Sequence, residues 1–108
     1  LKQILAGISV ANINHTTIMK VVSRYYDISP EQLVTQKRSR DISFPRQVAM
    51  YLCRELTGMS LPKIGQVFGG RDHTTVMHAC DKIQDEMEKS AELRRAVIEI
   101  KRNITGKQ

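Results

Sequence analysis

The sequence has few of the residues that build disulfide-rich, zinc-binding or membrane proteins. Its 108 residues include no tryptophan, five other aromatic residues and two cysteines. Cys53 and Cys80 lie in different segments without framework spacing, which excludes a disulfide scaffold and indicates two small buried side chains in a reducing cytoplasm. The apolar runs are only a few residues long, so no membrane contact is expected.

Alternating strand patterns and internal repeats are also missing. Apolar residues instead recur at spacings of three and four, which predicts an all-α domain. Residues 13–108 are expected to form this domain, whereas residues 1–12 could be a linker or the end of a preceding domain. Capping residues and apolar spacing predict helical segments at residues 14–27, 29–35, 43–58, 60–68, 72–87 and 91–104, with a loop over residues 36–43.

The chain is strongly basic. It carries 17 Lys and Arg against 11 Asp and Glu, for a net charge of +6. Residues 20–71 hold nine Lys or Arg and four Asp or Glu, whereas residues 81–99 hold four and six. Long-range attraction and counterion release favour a polyanion, so nucleic acid is the leading partner class.

The segments on either side of the Gly69-Gly70 pair predict a helix-turn-helix. Ser60 is placed to cap the first helix, with Pro62 near its first position. In this motif the opening of the second helix enters the major groove and carries the sequence information.

The second helix opens with an unusually polar first turn. Asp72 is expected to cap it, and capping does not prevent a base contact. On a helical wheel Thr74, His78 and Lys82 point away from the apolar stripe. This turn offers a partner to every type of hydrogen-bonding group on a base edge.

Basic residues before the helix-turn-helix suggest further contacts. Residues 37–40 (KRSR) form a basic loop in which Arg38 and Arg40 alternate on an extended stretch, a pattern that suits insertion into a narrow minor groove. A solvated run of charge is the alternative. The predicted phosphate contacts are Lys37, Arg40, Arg46, Gln47, Arg54, Lys63 and His78.

Three other chemistries find no support in the sequence. Gly65 and Gly70 match the glycines of GxxxxGK[ST], but Arg71 and Asp72 replace the lysine and the hydroxyl that the phosphate-binding loop requires. His73 and His78 are five residues apart, which is not a metal-ligand spacing on one helix face. No oxyanion-type loop or orienting group accompanies the Thr and His residues, so the chain is not expected to be an enzyme.

The string GGRDHTTVMHA (residues 69–79), together with KRSR (37–40) and FPRQVAM (44–50), closely resembles the C-terminal DNA-binding domains of bacterial DnaA-type chromosomal replication initiators. The resemblance covers about residues 12–105. It implies a multi-helix domain of the Trp-repressor-like arrangement with an embedded helix-turn-helix, which binds short asymmetric duplex boxes at the replication origin.

Carried over position by position, the resemblance implies a set of base contacts. Arg38 would enter the minor groove, and Pro62 would touch a thymine methyl. Bases and thymine methyls in the major groove would be read by Asp72, His73, Thr74 and Thr75.

The resemblance also implies phosphate contacts. Arg46 and Gln47 would hold phosphates, and Arg54 stands where many relatives have lysine. ATP and Mg would be bound by an AAA+ module outside this chain, so no cofactor and no small-molecule substrate are expected here.

We therefore expect a sequence-specific DNA-binding domain that binds each box as a monomer. Its expected location is the bacterial cytoplasm, in association with the nucleoid. The alternative is a helical module whose basic face binds structured RNA or a protein partner. A further option, that Arg71 or the acidic C-terminal helices serve an accessory protein, stays open.

Overall fold

The computed structural model describes residues 13–106 as a helical bundle without strands. In chain order its elements are α1 (His15–Tyr25), a 3₁₀ helix (Pro30–Val34), α2 (Arg40–Thr57), α3 (Leu61–Val67), α4 (His73–Lys89) and α5 (Ala91–Thr105). The predicted all-α class is confirmed. Residues 1–12, for which the sequence left two options, lie outside the described range. None of the described helices is long and apolar enough to cross a membrane.

Helix ends follow the capping residues in the sequence. Side-chain oxygens of Asn14, Ser60 and Ser90 accept hydrogen bonds from first-turn amides of α1, α3 and α5. These bonds satisfy amides that have no partner within the helix. Gly58 and Gly106 follow α2 and α5 with φ of 71° and 75°, a left-handed conformation that ends a helix. The predicted ends of these helices are confirmed to within a few residues.

The predicted boundary of α2 is wrong by one turn. Sequence reasoning placed residues 40–43 in a loop and Pro45 just inside the helix, whereas α2 begins at Arg40. The Ser39 carbonyl accepts a hydrogen bond of 3.0 Å from the Ile42 amide, and the Ile42 side chain is buried. Ser39 stands at the N-cap and Asp41 in the first turn, a local signal that sequence reasoning missed, and burial of the Ile42 side chain stabilises the turn.

The short segment between α1 and α2 is a 3₁₀ helix. Its Gln32 amide donates to the Ser29 carbonyl three residues earlier, and the Gln32 side chain accepts from the Ser29 amide at 2.9 Å. Leu33 is fully buried and fixes the segment to the core. The predicted short helix therefore exists, in the tighter form that suits a single turn.

α2 is the central helix and packs against α1, the 3₁₀ helix, α3 and α4, while α5 closes the bundle against α1 and α4. Cys53 and Cys80 are buried and unbonded, as predicted. Burial is the main reason that the pKa of Cys53 is raised to about 12. Every described helix contributes to the largest fully buried side chains, which include Ile18, Leu33, Leu52, Ile64, Phe68, Ile83 and Ile100.

The turn between α3 and α4 folds back onto the α3 backbone at Gly65. The Gly65 carbonyl accepts hydrogen bonds from the amides of Gly70 (3.0 Å) and Arg71 (2.9 Å). A Cβ atom at position 65 would overlap the Arg71 carbonyl oxygen. Gly65, which matched one position of a phosphate-binding pattern, therefore serves the close approach of two backbone segments.

We expect Gly65→Ala to destabilise the domain by ~2 kcal/mol, because the added methyl group forces the turn away from α3. Alanine favours a helix over glycine by up to about 1 kcal/mol, so helix propensity alone predicts the opposite sign. Gly58→Ala is the control, since its Cβ would meet nothing within 4 Å and only the left-handed backbone is strained. Urea unfolding of the two variants measures the difference, and an unchanged stability of Gly65→Ala would contradict the close approach.

Candidate nucleic-acid interface

The first turn of α4 is capped and exposed, as predicted. The Asp72 carboxylate accepts a hydrogen bond of 2.9 Å from the Thr75 amide through Oδ1. The side chains of His73, Thr74 and Thr75 are exposed. All four residues predicted to read bases in the major groove thus share one protruding end of a helix, which we call the α4 tip (residues 72–75).

Asp72 holds its negative charge at this tip. Hydrogen bonds from the backbone and side chain of Thr75 hold the pKa of this carboxyl below its ordinary value of 3.8. The partial positive charge of the helix N-terminus acts in the same direction. The tip therefore presents an exposed carboxylate, a hydrogen-bond acceptor, to solvent.

The start of α3 is capped and exposed. Pro62 and Lys63 are exposed in its first turn, and Ser60 accepts from the Lys63 amide at 3.3 Å. Pro62 therefore presents its ring to solvent at a helix end. This placement permits the methyl contact that the resemblance implies.

The basic loop is shorter than predicted. Lys37 and Arg38 are exposed in the segment before α2. Arg40 is already helical, and its guanidinium stacks over the Phe44 ring with 4.7 Å to the centroid. The expectation that Arg38 and Arg40 alternate on one extended stretch is wrong, because the early start of α2 removes Arg40 from it. We use "basic loop" below for residues 36–39.

A solvent-open groove runs between α2 and α4, beside the tip. We call it the α2–α4 groove. Its rim carries polar and basic side chains from both helices, and the buried Arg46 lies deeper. The Gln47 Oε1 atom accepts no hydrogen bond from residues 13–106. The lining residues are Ser43, Arg46, Gln47, Met50, Arg71, Thr75, His78, Ala79 and Lys82.

Sequence reasoning placed Arg46 with Gln47 and Arg54 on the α2 face opposite Phe44, Val48 and Leu52, free to lie along phosphates, but its side chain is buried. Its side chain is 5% exposed. Nε donates to the Leu33 carbonyl at 2.9 Å, and a terminal nitrogen donates to the Thr35 carbonyl at 3.0 Å. Desolvation is the larger cause, and the nearby charge of Arg71 the smaller, of a lowered pKa. Arg46 is primarily a cap for the end of the 3₁₀ helix.

Sequence reasoning gave Arg71 no role in DNA binding and left Lys82 out of the phosphate set. Arg71 is half-buried and donates to the carbonyls of Phe68 and Thr35, the latter at 2.6 Å. No local pattern predicts this bond, because its partners are 36 residues apart. Lys82 is exposed, and its outward position on the helical wheel was the signal for it.

Arg54 lies outside the α2–α4 groove. It is exposed in the last turn of α2, beside the Cys80 thiol.

In residues 13–106 the one ion pair joins Lys89 to Asp85, so the cations of the groove and loop have no carboxylate partner there. Within the same range, no group of three His, Cys, Asp or Glu side chains is placed to hold a metal ion.

We expect the capping carboxylate of Asp72 to contribute stability above its ordinary pKa and to lose that contribution as the pH falls through its lower folded value. Asp72→Asn retains an oxygen that can cap but carries no charge. Thermal unfolding across the acid range should therefore show the largest difference from the parent near neutral pH, and a shrinking one below pH 3.8. A difference that is constant with pH would contradict this role.

Sequence reasoning found no internal repeat, but the six residues that open α4 have a close counterpart at the start of α1, which we call the duplicated motif. The sequence Asn-His-Thr-Thr-Ile-Met at residues 14–19 parallels Asp-His-Thr-Thr-Val-Met at residues 72–77. Asn14 caps α1 by accepting from the Thr17 amide at 2.9 Å, the same distance as at α4. The two helix starts have closely similar local chemistry, and only the second follows the turn that folds back on α3.

A family model described as the bacterial dnaA protein helix-turn-helix matches residues 15–83. The match runs from the start of α1 into the second half of α4, so it includes the basic loop, α3 and the α4 tip. It covers more than half of the chain and confirms the resemblance predicted from the sequence. The chain belongs to the family of bacterial DnaA helix-turn-helix domains, which bind DNA in the initiation of replication.

Proposed function

We propose that this domain binds duplex DNA in a sequence-specific manner at short replication-origin boxes, one monomer per box, on the nucleoid in the bacterial cytoplasm. The observation that carries the proposal is the exposed α4 tip, which opens the second helix of a helix-turn-helix beside a groove lined by Arg46, Arg71 and Lys82. Family membership indicates that the partner is DNA, and the exposure of the α4 tip indicates which surface binds it.

Base readout in the major groove is assigned to the tip. Thr74 and Thr75 each offer a hydroxyl and a methyl group, His73 offers ring nitrogens, and Asp72 offers a carboxylate oxygen. These groups match the donors, acceptors and thymine methyls along a major groove. Pro62 adds an apolar contact from the start of α3.

Arg38 is assigned to the minor groove. It lies on the exposed basic loop, and no carboxylate within residues 13–106 holds its guanidinium. A long cationic side chain on a short extended segment fits a narrow A/T-rich groove, where the negative potential is strongest.

The remaining polar and basic residues are assigned to the phosphate backbone. Phosphate contacts fix the register of the protein on the duplex, and base contacts supply specificity. Arg46 acts mainly by adding positive charge beneath the α2–α4 groove. The proposed direct contacts are Lys37, Arg40, Gln47, Arg54, Lys63, His78 and Lys82.

The proposed activity is binding alone, with no catalysis, cofactor or small-molecule substrate. The family is one of DNA-binding helix-turn-helix domains. ATP and Mg belong, in this proposal, to the AAA+ module of the family.

Thr74→Ala and His73→Ala should each weaken binding to the correct box by ~1–3 kcal/mol and leave binding to random duplex unchanged. Each removes a base contact and no charge. The duplicated motif provides matched controls, since Thr16→Ala and His15→Ala change the same residue types at the start of α1. Fluorescence anisotropy with box and random duplexes measures all four variants.

Equal losses on both duplexes would refute base readout by the tip. A loss in Thr16→Ala as large as that in Thr74→Ala would show that the effect is not specific to α4. Displacement of the box by double-stranded RNA, as effective as displacement by unlabelled box, would favour the structured-RNA alternative.

Lys82→Ala should reduce the slope of log affinity against log salt by about 0.9, the value for one lost phosphate contact. Lys89→Ala is the control, because it removes the same charge seven residues later on the same face of α4. Lys89 already pairs with Asp85 at 3.1 Å. Salt titrations on random duplex measure both slopes, and equal changes would show a general charge effect in place of a defined contact.

A further inference from the structure

The carbonyl oxygen of Thr35 accepts hydrogen bonds from two arginines on different elements. Arg46 reaches it from α2 at 3.0 Å, and Arg71 reaches it from the α3–α4 turn at 2.6 Å. Convergence of two cations on one acceptor is electrostatically costly. In this structure it is balanced by the Leu33 and Phe68 carbonyls, which accept from the same two side chains.

Thr35 is the last anchored residue before the basic loop. Its hydroxyl donates to the Gln32 carbonyl at 2.8 Å, and residues 36–39 that follow are exposed. The far end of the loop is fixed where α2 begins at Arg40. The near end therefore depends on whatever holds the backbone at Thr35.

The α3–α4 turn holds that near end directly. Arg71 lies between the turn and the α4 tip, and its guanidinium bridges the Phe68 carbonyl of its own turn to the Thr35 carbonyl. Gly69 also approaches the Val34 carbonyl so closely that a Cβ atom there would overlap it. The turn that sets the α4 tip and the residue that starts the basic loop are thus in contact.

We propose that Arg71 is a positioning residue that couples the two reading elements. It fixes the near end of the basic loop against the α3–α4 turn, so that Arg38 and the α4 tip reach the two grooves of one duplex together. This inference rests on the proposed function, because it assigns a coupling between its two base-reading elements.

This role requires the shape of an arginine side chain, because one group must donate to the Phe68 and Thr35 carbonyls at the same time. The planar guanidinium presents donors in a fixed fork and bridges two carbonyls in one orientation. Lysine retains the charge, and hence the attraction to phosphate, but its single ammonium group does not impose that orientation. Arg71→Lys therefore separates positioning from charge.

The first test uses the protein without DNA. Backbone ¹⁵N relaxation of Arg71→Lys should show lower order parameters for residues 36–39, with residues 73–75 unchanged. Arg94→Lys is the matched control, since Arg94 also donates to backbone carbonyls near a helix end, those of Met87 and Glu88. A basic loop as rigid in Arg71→Lys as in the parent would overturn the inference. This readout does not depend on the proposed function.

The second test is a double-mutant cycle with Arg38→Ala. Arg71→Lys should weaken box binding about tenfold, the effect of one lost base contact, and leave random-duplex binding and the salt slope unchanged. It should also lower discrimination between A·T and G·C at the pairs that Arg38 faces. In the Arg38→Ala background, Arg71→Lys should have little further effect.

The outcomes separate the two ideas. Additive losses, or parent-like binding of Arg71→Lys, would overturn the coupling while leaving base readout intact. An Arg38→Ala variant with parent-like box affinity would overturn both the minor-groove assignment and the coupling. Thermal unfolding checks that Arg71→Lys is folded. If it is not, Arg46→Lys loosens the same carbonyl from the α2 side and should produce the same loss of loop order.

Discussion

The interface depends on one close backbone approach, that of the Arg71 carbonyl to α3 at Gly65. Two amides of the turn donate to the Gly65 carbonyl, so the turn is fixed to α3 by its own main chain. This contact sets the direction in which α4 leaves the turn, while Val76 and Ile83 on its inner face are buried in the core. Because α4 is fixed at its start by the turn and along one face by the core, the polar side chains of its first turn are left exposed to solvent.

The cations of the domain fall into two groups with different physical roles. Arg46 and Arg71 donate to backbone carbonyls at the end of the 3₁₀ helix and in the turn, where helix ends and turns leave acceptors without amide partners. Arg38, Lys63 and Lys82 are exposed and, within the described residues, have no acidic partner. The first group organises the backbone and keeps its positive charge beneath the surface. The second group is exposed to solvent and, in the proposed function, contacts phosphates or bases.

Much of this arrangement could be predicted from local sequence. Capping residues and apolar spacing located every helix within residues 13–106, and Asp72 was identified as the cap of α4. The errors were at places where packing contacts decide as well as local sequence. The start of α2 depends on burial of Ile42, and the exposure of Arg46 depends on carbonyls 11 and 13 residues away. Arg40 was assigned to an extended loop because its contact with Phe44 appears only once the first turn of α2 exists.

The duplicated helix start gives the clearest division between the two kinds of information. The sequence by itself determined that residues 14–19 and 72–77 each open a capped helix, because an Asn or Asp oxygen satisfies an amide only a few residues away. It also determined the net positive charge and the all-α class. Only the tertiary structure decided which start follows the turn at Gly65 and becomes the α4 tip, and how the near end of the basic loop is fixed to that turn. That choice depends on the Gly65 approach and on bonds from Arg46 and Arg71 to Thr35, which join residues that are neighbours in space and not along the chain.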